Sequence, residues 1–236
     1  MTNSEIVDLI LEDLKKNSAS RYNTLGVPGF KTEMKRFGVS ADHLRVIENE
    51  WIKVLSDFDP DRWIDLCIKL TQSGIFESQI LAYELLWIHK EALKNLNQKQ
   101  ILMLGKHLDN WASVDSYCLM IAGWHWREGT LPDSQILEWL KSENFWLRRV
   151  AVICTVPLNL RSRGGKGDAP KTLMVCEKVI DDRDKLVVKA LSWALRELSK
   201  RDRTAVENFI HKHSERIHPL VLREVTAKLE TGRKSG

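Results

Sequence analysis

Apolar residues recur at helical spacing along almost the whole chain, and no run alternates as a half-buried strand would. Ile6, Leu9, Ile10 and Leu14 mark a first helix entered through Asn3 or Ser4. Asn17 to Gly29 is irregular, rich in Ser, Asn and Gly, and contains Pro28. Ser40 suits the cap of a helix carrying Leu44, Ile47, Trp51 and Leu55. Asp59-Pro60 restarts the pattern, with proline at the first helical turn. The spacing predicts further helices near 76–95, 98–108, 110–125, 133–141, 144–156, 170–180, 184–199, 203–213 and 218–230. The tail Gly232-Arg233-Lys234-Ser235-Gly236 reads as frayed.

These helices fall into pairs. Ile80, Val114, Arg149 and Lys189 occupy similar places in the second helix of successive pairs, at steps of 34, 35 and 40 residues. Two helices per unit at that period fit a HEAT-like helical-repeat solenoid. Stacked pairs bury their apolar stripes on one another and leave a concave surface. The expected fold is all-α, one continuous domain over 1–236, with a helical cap over about 1–58 and helix pairs over about 60–230.

Composition narrows the class. The 236 residues are 43% hydrophobic and 29% charged, as in a soluble globular chain. No run approaches the roughly 20 apolar residues of a membrane helix, and the polar, acidic start Met1-Thr2-Asn3-Ser4-Glu5 is no signal peptide. Cys67, Cys118, Cys154 and Cys176 lack metal-type spacing and lie in apolar helices, which points to buried free thiols in a reducing compartment and to no metal site. A net charge of +4 permits a nucleic-acid partner without requiring one. Arg161-Ser162-Arg163-Gly164-Gly165-Lys166-Gly167-Asp168 reads as a flexible exposed loop, either a solvated linker or a phosphate-contacting element.

No Walker loop, GxSxG or HExxH is present. The most telling stretch is Asp109-Asn110-Trp111-Ala112-Ser113-Val114-Asp115. Trp111 and Asp115 stand at i and i+4 and share a helix face. An indole beside a carboxylate suits a flat cationic ligand, of which an alkylated nucleobase is one. In later pairs Arg148, Arg149 and Trp193 sit at comparable positions. Each of these residues also fits a bland role, the tryptophans as core, the charges as a solvated face. Spacing alone supports a helical solenoid with a candidate groove.

Four stretches carry a family resemblance. Trp111-Ala112-Ser113-Val114-Asp115 is similar to a W-x-x-V-D pattern. Asn144-Phe145-Trp146-Leu147-Arg148-Arg149-Val150-Ala151 is similar to N-x-W-L-x-R-x-A. Lys189 to Glu197 is similar to K-A-x-x-W-x-L-R-E, and Phe37-Gly38-Val39 with Leu44-Arg45 to a short G-[IV]…L-R element. In these the chain resembles the DNA alkylation repair glycosylases of the AlkD type. The resemblance implies a monofunctional, monomeric glycosylase without metal or organic cofactor, acting on duplex DNA and not on membranes. Its substrates would be N3- and N7-alkylated purines such as 3-methyladenine and 7-methylguanine. It implies a cytoplasmic, nucleoid-associated setting if the source is bacterial. On this analogy Asp115 takes the place of the catalytic carboxylate, and Trp111 and Trp193 those of the groove tryptophans. Arg149 takes the place of the lesion-region arginine. Phosphate contacts are expected from Arg148, Arg149, Lys189, Arg161, Arg163 and Lys166. Ala112 stands where an acid is common, and Phe30-Lys31 with Met34-Lys35-Arg36 match a basic N-terminal element only loosely.

Overall fold

The structure, a computed structural model, describes residues 1–18 and 31–234. Most of the irregular stretch, with Pro28 and Phe30, and the last two tail residues lie outside the described residues. The described residues are helical, with no strand beyond a single parallel bridge between Lys35 and Ile75. The fold is an all-α helical-repeat architecture. None of the described helices is long and apolar enough to cross a membrane.

Two compact units follow one another, Met1–Ile121 and Ala122–Gly236. The first contains α1 (Asn3–Lys16), α2 (Ala41–Val54), α3 (Pro60–Thr71), α4 (Phe76–Ile88), α5 (Lys90–Asn95), α6 (Gln98–Leu104) and α7 (Trp111–Tyr117). Here α3 packs along α4; α1, α5 and α6 flank α3, while α2 and α7 flank α4. With Leu81, Ala82, Tyr83, Leu85 and Leu86 all buried, α4 is the centre of this unit. The second unit contains α8 (Gly123–Glu128), α9 (Asp133–Leu140), α10 (Phe145–Ile153), α11 (Val156–Asn159), α12 (Ala169–Lys178), α13 (Lys185–Leu198), α14 (Arg203–Lys212) and α15 (Pro219–Thr231). Its second helices lie side by side, α10 on α13 and α13 on α15, with α9 and α12 as their outer partners.

The helix starts follow capping chemistry. Thr2, not Asn3 or Ser4, caps α1, and with Glu5 forms a reciprocal capping box. Asn97 and Gln100 do the same for α6, while Ser40, Asp59, Asn110, Asp168 and Asp184 cap α2, α3, α7, α12 and α13.

Two expected long helices are divided. The helix over 76–95 breaks at His89, whose backbone leaves helical geometry and whose Nδ1 accepts the Ala92 N–H at 3.0 Å. Histidine there acts as a cap that apolar periodicity does not register. The helix over 110–125 passes into a π-helical turn at Cys118–Ala122 before α8 resumes. Such turns are a frequent mark of functional sites. All four cysteines are free and buried.

Candidate nucleic-acid interface

In the first unit the candidate residues are carried by α7. Asn110 is fully buried; its Oδ1 accepts the Ser113 N–H at 2.8 Å and its Nδ2 donates to Ser113 Oγ at 3.0 Å. This cap closes the first turn of the helix. Val114 and Tyr117 face inward, and the Tyr117 hydroxyl donates to the Ile101 carbonyl at 2.9 Å. The ring lies so close to Gly105 that a Cβ there would come within 2.7 Å of it. Only glycine lets α6 approach α7 this closely. With one face anchored, Trp111 and Asp115 emerge half-buried on the other, with Ser116 beside them.

A strap over Lys31–Val39 crosses the starts of α4 and α7. Asp109 Oδ1 accepts from Thr32 Oγ1 at 2.7 Å and Asn110 Nδ2 at 3.0 Å, and Oδ2 accepts the Glu33 N–H at 2.5 Å. Further on, the Lys35 N–H donates to the Gly74 carbonyl and the Phe76 N–H to the Lys35 carbonyl. The buried Glu77 carboxyl then accepts the N–H groups of Phe37, Gly38 and Val39 at 3.1, 2.7 and 3.4 Å. Gly38 has φ 77°, a conformation natural only to glycine. The Phe37-Gly38-Val39 motif is thus an amide cradle for Glu77.

In the second unit the candidates fall on α10 and α13, and the two arginines make hydrogen bonds within the fold. Arg148 Nε donates to Asp182 at 2.7 Å, and its Nη1 to the carbonyls of Ser142 and Glu143 at 2.9 Å. Arg149 is only 5% exposed, and its Nη1 donates to the Leu186 carbonyl at 2.6 Å. Both fasten the start of α10 to neighbouring segments. Lys189, by contrast, is exposed, and Trp193 one turn later is half-buried.

Sequence reasoning missed the rest of that face. Lys185, Lys189, Trp193, Arg196 and Lys200 fall within about 80° of arc at 3.6 residues per turn. The signal was present in their spacing. Arg196 and Lys200 are partly committed. Arg196 lies 3.8 Å from Glu224 and donates to Ser192 Oγ at 3.2 Å. Burial lowers its pKa, with Glu224 and Glu197 offsetting part of that. Lys200 pairs with Glu197 at 2.6 Å. Lys185 and Lys189 remain the exposed cations at the head of the stripe.

The glycine-rich segment also corrects the expectation of a flexible loop, because it packs. Arg161–Arg163 forms a 3-10 turn. Gly165 is buried where a Cβ would meet the Pro157 carbonyl oxygen at 2.5 Å, and the N–H groups of Gly165 and Gly167 donate to the Leu160 and Leu158 carbonyls. Arg201 donates to the carbonyls of Asn159 and Gly165, and Arg127 to those of Pro157 and Arg163. The carbonyls left over at the end of α11 are met by guanidinium groups. Arg161 and Lys166 are exposed and Arg163 is half-buried.

The family model described as DNA alkylation repair enzyme matches residues 12–229. The chain belongs to the DNA alkylation repair enzyme family. The match spans both units, including α7, α10 and α13, and gives the protein a role in alkylation repair. A solved structure described as a predicted DNA alkylation repair enzyme from Enterococcus faecalis is similar in fold. Its TM-score is 0.65 at 18% identity, covering 84% of this chain and 90% of that one. No curated protein matches the chain.

Proposed function

We propose that this family member is a monofunctional DNA glycosylase that hydrolyses the N-glycosidic bond of N3- and N7-alkylated purines in duplex DNA, 3-methyladenine and 7-methylguanine among them. The observation that carries this is the pairing of Trp111 and Asp115 on the outward face of α7, with the helix start fixed by Asn110.

Alkylation at N3 or N7 gives the purine a positive charge. When its bond to C1′ breaks, both electrons go to the base, which leaves neutral, so no general acid is needed. The charge develops on the sugar instead. A carboxylate held near C1′ stabilises that oxocarbenium character. It also orients the water whose oxygen bonds to C1′ and accepts the proton that this water sheds. Trp111 offers a ring face to the sugar or to the cationic base, and in the second unit Trp193 offers an aromatic surface to the duplex. Lys189 and Lys185, with the exposed Arg161 and Lys166, meet backbone phosphates, which position the duplex without reading its sequence. Arg148 and Arg149 act indirectly, by tying the start of α10 to Asp182 and Leu186, the segment that carries Lys185.

Base release from methylated duplex DNA tests this reading. Asp115→Asn is expected to retain the fold and duplex binding while losing about 10²–10³-fold in release rate, the scale of removing one preorganised electrostatic group. Unchanged release of 7-methylguanine by that variant would sink the assignment. No release by the wild type, with duplex binding intact, makes the protein a non-catalytic binder of damaged DNA. Absence of duplex binding makes it an interaction scaffold.

A further inference from the structure

The strap and the α7 start share one polar network. Beginning at the strap, the N–H of Met34 donates to Thr32 Oγ1 at 3.1 Å. Thr32 Oγ1 and the Glu33 N–H donate to Asp109; Asn110 donates to Asp109 and caps α7 through Ser113. One carboxylate therefore joins the strap to the helix that carries Trp111 and Asp115. Along the strap, exposure alternates: Lys31, Glu33 and Lys35 face solvent, while Thr32, Met34 and Arg36 are half-buried. Beneath the clasp lies a cavity of about 380 Å³ whose wall includes Met34, Leu108, Asp109 and the exposed Lys106 and His107. The Asp109 carboxylate is met by three donors, Lys106 and Glu33 line the cavity, and Lys31 and Lys35 are exposed on the strap.

A merely structural tie could have used an apolar contact or a backbone bridge, such as the one already present at Lys35 and Ile75. A charged clasp placed immediately before Trp111 has a second consequence. It fixes the lysines and the reacting helix in one register. We infer that Asp109 is a positioning residue that holds the strap so that Lys31 and Lys35 contact phosphates of the duplex on which Trp111 and Asp115 act. The inference rests on the duplex-binding part of the proposed function and does not require excision.

Binding of the full chain to an undamaged duplex, measured across salt concentrations, tests it. Removing one lysine–phosphate pair lowers the slope of log K against log[salt] by about 0.9. Lys31→Ala/Lys35→Ala should therefore lower the slope by about 1.8. Asp109→Asn should match it, and adding the two lysine changes to Asp109→Asn should remove nothing more. Thr32→Val removes one of the two strap-side donors to Asp109 and leaves the Asn110 cap on the Ser113 N–H intact, so it should lower the slope in the same direction in a variant that folds. A full slope in Asp109→Asn and Thr32→Val, with only Tm reduced, overturns this inference and leaves the glycosylase reading standing. A full slope in the lysine pair also overturns it. Failure of the wild type to bind duplex overturns both readings together, whereas failure of base release alone touches only the proposed function.

Discussion

The helix that carries Asp115 and the helices that carry the candidate cations are held in place by opposite chemistry. Around α7 the fasteners are acceptors. Asp109 and Glu77 collect donors from the strap, five of them in all, four being backbone N–H groups. Around α10 and α11 the fasteners are donors. Arg148, Arg149, Arg127 and Arg201 all give N–H groups to backbone carbonyls. The difference teaches that charge counted along a sequence is not charge available to a ligand. In the second unit these four arginines donate to backbone carbonyls, and Lys185 and Lys189 of α13 face solvent. In the first unit Asp109 and Glu77 are committed, and Lys31 and Lys35 of the strap are exposed.

The largest effect expected from breaking this arrangement is at Glu77. Glu77→Ala removes the acceptor for three N–H groups in a buried setting. Each unsatisfied buried donor costs about 1–3 kcal/mol. Because the strap can relax, a combined loss of about 3 kcal/mol in urea unfolding is expected. A loss under about 0.5 kcal/mol, the range of an ordinary surface change, would show that the cradle is not what holds the strap.

Arg149 supplies the matching test in the second unit. Arg149→Met keeps the volume and removes the donor to Leu186, so unfolding free energy should fall by about 1–3 kcal/mol. The salt slope of duplex binding should stay at the wild-type value. A slope lowered by about 0.9 without loss of stability would mean that Arg149 reaches a phosphate after all. The same pair of measurements on Arg148→Ala separates its Asp182 pair from any contact with DNA.

Steric tests come next in size. Gly105→Ala pushes a methyl into the Tyr117 ring at 2.7 Å, and Gly165→Ala pushes one into the Pro157 carbonyl oxygen at 2.5 Å. Overpacking of this kind costs about 1–3 kcal/mol. The first contact is with a buried side chain; the second is with backbone, which gives less readily. Gly165→Ala should therefore be the costlier of the two in thermal unfolding, and the reverse order would show the glycine-rich segment to be looser than its hydrogen bonds imply.

The helices, their approximate ends and the Trp111 and Asp115 face were readable from spacing, because burial on one side of a helix leaves a periodic trace. What was not readable depends on partners distant in sequence. Nothing local shows that Arg148 meets Asp182, that Asp109 meets Thr32, or that Glu77 receives the amides of Phe37, Gly38 and Val39. The Arg161–Asp168 segment looked loose because glycine and charge usually mean exposure. Here the glycine admits carbonyl oxygens, and Arg201, far along the chain, supplies the donors. His89 was missed for a related reason, since an imidazole acceptor at a helix start leaves no mark on hydrophobic periodicity.

The smallest change in stability is expected where the comparison predicts the clearest change in binding. Lys185 and Lys189 are exposed on α13, one turn apart and ahead of Trp193. Lys185→Ala/Lys189→Ala should leave unfolding free energy within about 0.5 kcal/mol of wild type, as for most surface changes. The salt slope for duplex binding should fall by about 1.8. Arg149→Met should show the inverse pattern, a loss of stability with the slope intact. If the lysine pair and the arginine change moved both quantities together, the division of labour between fastening arginines and contacting lysines would fail. If they separate as described, the cations that serve the duplex in the second unit are those that the fold leaves unspent.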